Sequence, residues 1–556
     1  MLRIRWLGRV PYGEAHVLQG ALQAGGSDDH LLLLEHPHVF TLGVRADPGH
    51  VLVDPGEVGA ELVRTNRGGD VTYHGPGQLV GYPIVSVPMG PGAIPGHVAA
   101  VEEVVIGTLA DLGLPGCGRL PGYPGVWVDP SGRAPRKISA IGIRVSRGRS
   151  MHGFALNVDP DLGWFDRIVP CGIPDKAVTS LAAEGLAVPM AEVVAALARR
   201  ASDRWAPDGQ VDLQLVTSPG SGGRADRVGP DSGPRPETPP APGERLRVRL
   251  RQAGEDPGAG LPLLTRKPDW LRVPARMGRE FLELRRTVRS RGLVTVCEEA
   301  GCPNIFECWA EGTATFMING DRCTRACGFC LVDTSRPLPL DPAEPGAVAA
   351  AVAELGLTHA VVTAVARDDL PDGGAAGFVA TIGAIRDQTP TTAVEVLISD
   401  CKGDPEALET IFGARPDILN HNLETVARLQ RAVRPSAGYA RSLAVLARAA
   451  RAGLTTKSGL ILGMGETAAE VLGALADLRA VGVSIVTLGQ YLRPSAAHVP
   501  VARWWTPEEF GELRAAGEAM GFAHVQASPL TRSSYHARGA AAAAAAARTV
   551  GVGGPG

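Results

Sequence analysis

Apolar positions along the chain fall into two regimes. Up to about residue 216 they group irregularly. HLLLLEHPHVFTLG (30–43) and GQLVGYPIVSV (77–87) read as strands, whereas AAVEEVVIGTLADLG (99–113) and AEVVAALARRASDRW (191–205) carry apolar residues at helical spacing. No clean βα alternation emerges, which predicts an α+β or mixed α/β domain. From about residue 246 the alternation is regular. Strand-like runs GTATFMING, THAVVTAVA, TAVEVLIS, TKSGLILGM and SIVTLGQYL are separated by helical runs such as GAVAAAVAELG, AAGFVATIGAIRD, ARSLAVLARAARAG and TAAEVLGALADLRAVG. Repeated β-then-α units predict a parallel sheet with crossover helices, a full or partial (β/α) barrel with its chemistry at the C-terminal strand ends.

The pattern breaks twice. Residues 217–245 are Pro, Gly, Ser and charge with almost nothing apolar to bury, so a disordered linker is expected there. It separates an expected domain 1–216 from a second, 246–538. A low-complexity Ala/Gly tail, 539–556, follows and offers no chemistry. About 29 flexible residues give a root-mean-square reach of roughly 30 Å.

Composition adds little except by exclusion. A formal net charge of -3 gives no sign of a nucleic-acid or membrane partner. The N-terminal stretch lacks an apolar signal region, and HLLLLEHPHVF is too short to span a bilayer. A reducing cytoplasm is therefore expected, where clustered cysteines serve metals or catalysis more often than disulfides.

Six of the nine cysteines lie between 297 and 330, as two trios: Cys297, Cys302 and Cys308, then Cys323, Cys327 and Cys330. Structural zinc sites use two close pairs. Three thiolates instead suit a 4Fe–4S cluster with one iron open to another ligand. The loop DRCTRACGFC directly follows the strand GTATFMING, where barrel chemistry is expected.

The second trio, CxxxCxxC with Phe329 before its last cysteine, resembles the signature of radical S-adenosylmethionine enzymes. With CEEAGCPNIFECW added, the domain resembles lipoyl synthase. KPDWLRVPAR (267–276), ARDDLPDGG (366–374), NHNLETV (420–426), RLQRAVRP (428–435), TKSGLILGMGET (456–467), TLGQYLRPS (487–495) and RSSYHA (532–537) match the same family. The resemblance implies two 4Fe–4S clusters and S-adenosyl-L-methionine as cofactors. Cys323, Cys327 and Cys330 would hold the radical cluster. Cys297, Cys302 and Cys308 would hold an auxiliary, sulfide-donating cluster, with Ser534 as fourth ligand and Ser533 as the alternative. Arg532 could be a structural ion-pair partner or take a direct part. Glu395, Asn420, Asn422, Glu424, Lys457 and Gln490 lie near expected strand ends, where each could touch the cofactor or be a satisfied interior group. Ser399 and Cys401 stand where the family more often has proline and phenylalanine; Cys401 is expected to be a buried thiol.

In the first half, Cys117 lies in a glycine–proline turn and is expected to be inert. Cys171, in FDRIVPCGIPDKAVTSL, has Arg167 and Lys176 nearby in sequence, and a close cation would lower a thiol pKa toward nucleophilic use. RGGDVTYHGPGQLVGYP (67–83), PGVWV (124–128), RKISAIGIRV (136–145), HGFALNV (152–158) and RIVPCG (167–172) resemble lipoyl(octanoyl) transferase, a family sharing its fold with biotin– and lipoate–protein ligases. The resemblance implies that Cys171 is the acyl-accepting nucleophile and Lys137 its partner. The lysine would stabilise the thiolate and, once neutral, could take a proton from the attacking amine. Arg67, Gly68, Gly69, Asp70, Val71, Thr72, Tyr73 and His74 would shape the acyl and lipoyl-lysine channel. His74 would orient the thioester or serve the fold. Ala140, Ile141, Gly142, Gly153, Phe154 and Ala155 would line the acyl tunnel, each buried methylene contributing about 0.8 kcal/mol.

Together the two resemblances imply a natural fusion of consecutive enzymes. Octanoyl would pass from octanoyl-acyl carrier protein through Cys171 to a lysine of a lipoyl domain, and sulfur would then be inserted at C6 and C8. Expected partners are the lipoyl domains of 2-oxoacid dehydrogenase complexes, the glycine cleavage H protein, and a low-potential reductant such as ferredoxin or flavodoxin. Two other arrangements are open at this stage: a lipoate or biotin ligase joined to a different radical enzyme, and a fusion with one inactive half.

Overall fold

The computed structural model describes residues 1–215 and 242–540, apart from residues 27, 174, 273–277, 292, 296–297, 299–301, 303 and 311–313. Cys297, most of the expected linker and the tail from 541 onward lie outside the described residues. The chain divides into two compact units, Met1–Pro230 and Asp231–Gly556.

The first unit carries twelve strands among its described residues: β1 (Leu2–Arg9), β2 (Asp29–Glu35), β3 (Val39–Leu42), β4 (Glu61–Arg64), β5 (Val71–His74), β6 (Gln78–Ile84), β7 (Cys117–Leu120), β8 (Tyr123–Val128), β9 (Arg136–Ser146), β10 (Arg149–Asn157), β11 (Ala177–Val178) and β12 (Val211–Gln214). The larger sheet runs β12-β1-β2-β6-β10-β9-β8-β7, with β11 beside β9; the smaller runs β4-β3-β5. The run HLLLLEHPHVFTLG is therefore two strands in two sheets, not one. His36 and Pro37 break it, because proline lacks the N–H that a continuing ladder needs. Helices Ala93–Asp111 and Met190–Trp205 supply Val101, Val105 and Leu197 to a core shared with Leu2, Ile4, Leu31, Leu33 and Phe154 of the larger sheet. Ala93–Asp111 is long and apolar enough to cross a membrane by length and composition, but its apolar face is spent on this core.

The second unit is the regular one. Strands β13 (Val294–Thr295), β14 (Thr315–Ile318), β15 (His359–Ala364), β16 (Ala393–Leu397), β17 (Ile418–Asn420), β18 (Thr455–Leu462), β19 (Ile485–Gln490) and β20 (His524–Ala527) lie in chain order in one sheet. Only the β13–β14 pairing is antiparallel. Of the two forms the alternation allowed, the open, partial barrel is observed. Helices Glu344–Glu354, Ala375–Gln388 and Pro405–Gly413 pack outside it, joining Val348, Val352, Phe378, Ile382, Leu408 and Ile411 to Phe316, Val362 and Val396 of the strands. A helix begins at Pro242, inside the stretch read as linker to 245: proline suits a helix start, and Leu246 and Leu250 are buried.

Candidate active sites

In the first unit, β9 and the turn Pro170–Gly172 bring Lys137 and Cys171 together, with Nζ 3.4 Å from Sγ. Lys137 is buried, its ammonium 5.2 Å from the centre of the Trp127 ring. Its stem needs Gly125: a Cβ there would stand 2.8 Å from Lys137 Cε and 2.5 Å from the Ser139 carbonyl oxygen. Cys171 sits in the left-handed region at φ 57, a conformation that costs a non-glycine residue energy.

The glycine-rich segment borders this pair. Arg67 is buried and donates to the Thr41 carbonyl (2.5 Å) and hydroxyl (2.8 Å) and to the Gly68 carbonyl (3.1 Å). Burial lowers its pKa, an effect that Tyr12 and Cys171 oppose. Asp70 Oδ1 accepts from the backbone of Val71 (2.7 Å) and Asp47 (3.2 Å), and Oδ2 pairs with His50 Nδ1 at 2.7 Å. Val71, Thr72, Tyr73 and His74 form β5, buried throughout. Tyr73 and Trp164 stack with ring centres 5.3 Å apart. His74 donates through Nδ1 to Gln78 (2.8 Å), and burial holds its pKa well below the usual range, so it is neutral.

The expected tunnel residues turn out to be three consecutive cross-strand pairs of one ladder: Gly142 with Gly153, Ile141 with Phe154, Ala140 with Ala155. Side chains alternate between faces of a strand. Phe154 belongs to the helix-covered core, with Ile141 packed against it. The small residues share the other face, where a Cβ on Gly142 would stand 3.0 Å from the Gly68 carbonyl oxygen. Cys117 is apart from this site, and burial pushes its pKa up to about 11.

In the second unit, one cavity of about 410 Å³ opens at the C-terminal strand ends. Cys302 and Cys308 of the first trio and all three cysteines of the second line it, together with Arg532, Ser533 and Ser534. Among the described residues, no three His, Cys, Asp or Glu side chains close around a point that would suit a single ion. Five cysteine sulfurs and the Ser534 hydroxyl on one cavity are the kind of donors that 4Fe–4S groups take, so the donor set fits the expected clusters. Burial raises the pKa of Cys302 and Cys327 and pushes Cys330 up to about 12.

The CxxxCxxC loop is pinned on several sides. Thr324 N donates to the Ala366 carbonyl (3.0 Å), Gly328 N to that of Val433 (2.7 Å), and His498 Nε2 to that of Cys330 (2.8 Å). Arg325 bridges Asp368 (2.7 and 2.8 Å) and Asp400 (2.6 Å) at the ends of two neighbouring strands. The first trio is tied to the RSSY loop. Asn304, between its cysteines, donates to the Leu530 carbonyl (2.6 Å), and Tyr535 OH reaches Glu307 (3.2 Å). The two serines differ: Ser534 hydrogen-bonds Thr315 Oγ1 of β14 at 2.9 Å, whereas Ser533 accepts from Asn422 at 2.7 Å.

Sequence comparison agrees with this division. A profile described as "Lipoyl protein ligase A/B catalytic domain" matches residues 15–202, and one described as "Radical SAM superfamily" matches 317–478. Lipoyl synthase of Mycolicibacterium paratuberculosis is 56% identical over 292 residues, 52% of this chain and 93% of its own. That of Mycobacterium ulcerans is 52% identical over 310 residues, 56% of this chain and 94% of its own. The chain belongs to the lipoyl synthase family.

It differs from those relatives in carrying a lipoyl protein ligase-type catalytic domain ahead of the lipoyl synthase. Among solved structures, a lipoate-protein ligase A bound with ATP aligns with 38% of this chain and 87% of its own, at 20% identity and a TM-score of 0.32. Membership of the family brings S-adenosyl-L-methionine and 4Fe–4S clusters to the second unit.

Of the polar residues flagged near strand ends, Asn422, Glu424 and Gln490 line the lipoyl synthase cavity. Glu395, Asn420 and Lys457 lie in the barrel interior. Lys457 Nζ is 2.9 Å from Glu395, Asn420 donates to the same carboxylate at 3.3 Å, and His359 stands 3.5 Å from it. Cys401 is buried beside Ser399, with its pKa pushed up to about 11 by burial. Sequence reasoning missed Arg434, a cavity residue that donates to the Asn422 and Leu423 carbonyls, and His50 beside Asp70. The run RLQRAVRP pointed toward the first; nothing in PGHVLVDPG marks the second, which acquires its partner only through folding.

Proposed function

We propose that the chain carries out two consecutive steps of protein lipoylation. The first unit takes an octanoyl group from octanoyl-acyl carrier protein onto Cys171 as a thioester and passes it to a lysine of a lipoyl domain. The second unit then inserts sulfur at C6 and C8 of that same chain. Lipoyl domains of 2-oxoacid dehydrogenase complexes and the glycine cleavage H protein are the acceptors, a ferredoxin or flavodoxin is the reductant, and the cytoplasm is the compartment.

The 3.4 Å approach of Lys137 to Cys171 carries this reading. An ammonium at that distance can offset negative charge on the sulfur as it attacks a donor thioester and as it later leaves the acyl group. An enzyme activating a free acid with ATP has no use for this pair. In the second unit, Cys323, Cys327 and Cys330 would hold one cluster, and Cys302, Cys308, Cys297 and Ser534 the other. When bound, these clusters with S-adenosyl-L-methionine supply a hydrogen-abstracting carbon radical and the sulfur. The chain's own residues shape the cavity, which Met317, Ile305, Leu397, Ile398 and Ile461 make apolar enough for an eight-carbon chain.

The test is peptide mapping after incubation with octanoyl-acyl carrier protein. An octanoyl adduct on the Cys171 peptide, formed without ATP and absent from Cys171→Ser, is the expected result. Acceptor modification that needs free octanoate and ATP and leaves Cys171 bare would favour the ligase alternative.

A further inference from the structure

Helix Pro242–Gln252 reads PGERLRVRLRQ, four arginines against one glutamate in a chain whose net charge is -3. Its apolar side is spent inward. Leu246, Leu250 and, just past the helix, Ala253 are buried. Arg249 donates to the Ala432 carbonyl at 3.2 Å, and Arg428 donates to that of Ala253 at 2.7 Å.

Beneath the helix lies the CxxxCxxC loop. A Cβ on Gly328, the residue after Cys327, would stand 3.2 Å from Leu246 Cδ1 and 2.9 Å from Val499 Cγ2. Cys327, Phe329 and Cys330 line the cavity, whereas Gly328 and the helix do not. The helix therefore backs the loop instead of facing the cavity.

On its outer side Arg245, Arg247, Val248 and Arg251 are exposed. Arg245 and Arg249 are four apart on the helix, as are Arg247 and Arg251, a spacing at which like charges repel. The pKa of Arg249 is lowered by burial first and by Arg245 second. Arg249 and Arg251 sit in the last turn, where cations complement the helix dipole; Arg245 and Arg247 have no such reason to be there. Among the described residues, none of Arg245, Arg247 and Arg251 forms an ion pair. Like charges kept together at a cost to the helix, around an exposed apolar Val248, make a surface complementary to an acidic protein.

Position decides among acidic partners. A protein presenting an acyl chain or a lysine must reach into the cavity, which this helix does not line. A protein delivering an electron needs only to approach the cluster ligands, and Leu246 packs on the residue next to Cys327. We infer that the outer face of this helix, with Arg245, Arg247 and Arg251, docks a small acidic one-electron carrier protein, and that the electron enters through the back of the CxxxCxxC loop. The carrier is oxidised by one electron, and the cluster that Cys323, Cys327 and Cys330 would hold is reduced by one; no covalent bond forms or breaks.

This rests on the reading of a ferredoxin or flavodoxin as the reductant, and the experiment separates the two. Full-length protein reconstituted anaerobically is mixed with a reduced bacterial flavodoxin or ferredoxin, and cluster reduction is followed by electron paramagnetic resonance. Dithionite, a small molecule that needs no docking, gives the reference rate. In the triple variant Arg245→Glu, Arg247→Glu, Arg251→Glu, the rate with the carrier relative to dithionite is expected to fall about tenfold or more. Binding of the oxidised carrier, read by calorimetry without turnover, should weaken in parallel. Rising salt should remove the carrier's advantage in the unaltered protein. The matching triple lysine variant keeps the charge and should retain most of that advantage, which a merely structural role would not produce. An unchanged ratio in the glutamate variant, or an equal loss in the lysine and glutamate variants, would overturn the proposal. So would a glutamate variant that keeps the ratio's value but loses octanoyl transfer, which would assign the face to an acyl carrier. If dithionite reduces the unaltered protein and neither carrier does, the reading of the reductant fails and this proposal fails with it.

Discussion

Ser534 hydrogen-bonds Thr315 at the start of β14, while the adjacent Ser533 is held by Asn422, two residues beyond the end of β17. Neighbouring hydroxyls that the sequence cannot tell apart thus belong to different surroundings. Ser534 is the one beside the strand that leads into the CxxxCxxC loop. With Ser534 as the auxiliary ligand, Ser534→Ala reconstituted anaerobically should hold clearly less than the roughly eight irons of two clusters. Ser533→Ala should stay near that number. Iron and sulfide analysis reads both, and the opposite ranking would move the ligand to Ser533.

Lys137 serves through charge at short range. Lys137→Met keeps the stem's length and removes the ammonium from Cys171. Formation of acyl-Cys171 near neutral pH should fall by about 10²- to 10⁴-fold, the usual scale for losing a positioned acid–base group. Stopped samples analysed by intact mass give the rate directly.

The barrel interior should be sensitive to losing one charge and tolerant of losing two. Lys457 and Glu395 are both fully buried and 2.9 Å apart. Burial opposes the carboxylate's charge, yet Lys457 and His359 outweigh it and hold its pKa below the usual value. Lys457→Met alone removes the nearest cation from a fully buried carboxylate and should destabilise the second unit by about 3–5 kcal/mol. Combining it with Glu395→Gln should recover much of the loss, as denaturant midpoints would show.

Histidines make the first unit acid-sensitive. Burial pushes His36 down to about 4 and His152 to about 3, and lowers His74 well below the ordinary range. Their folded pKa values lie below the unfolded value of about 6.5, so the unfolded chain binds more protons between them. Stability contributed by the neutral forms is intact above about pH 6.5 and is lost as pH falls toward 4. For His36 alone the loss approaches about 3 kcal/mol. Thermal unfolding of the first unit should show this slope, and His36→Gln should flatten it.

Much of this was legible beforehand where chemistry and spacing coincide in sequence. The two cysteine trios and the RSSY run each sit in one short stretch, the βα alternation repeats along most of the second unit, and the structure puts the described thiols of the two trios and both serines on one cavity. Strands β17 and β20 escaped because three or four residues, Ile418–Asn420 and His524–Ala527, are too few to show a period. The division of HLLLLEHPHVFTLG escaped because an apolar run does not reveal which sheet it joins. His50 escaped for another reason: its partner, Asp70, is twenty residues away and the nucleophile it borders lies further still. Such pairs exist only after folding.

The most direct test of a two-step lipoylation enzyme is the mass of the acceptor. Full-length protein reconstituted anaerobically with iron and sulfide is given octanoyl-acyl carrier protein, an apo lipoyl domain, S-adenosyl-L-methionine and a low-potential reductant. The account predicts that the lipoyl domain first gains one octanoyl group and then two sulfur atoms, with Cys171→Ser blocking both gains. A domain that stays unmodified, or one that gains octanoyl without sulfur despite a full complement of iron, would contradict it.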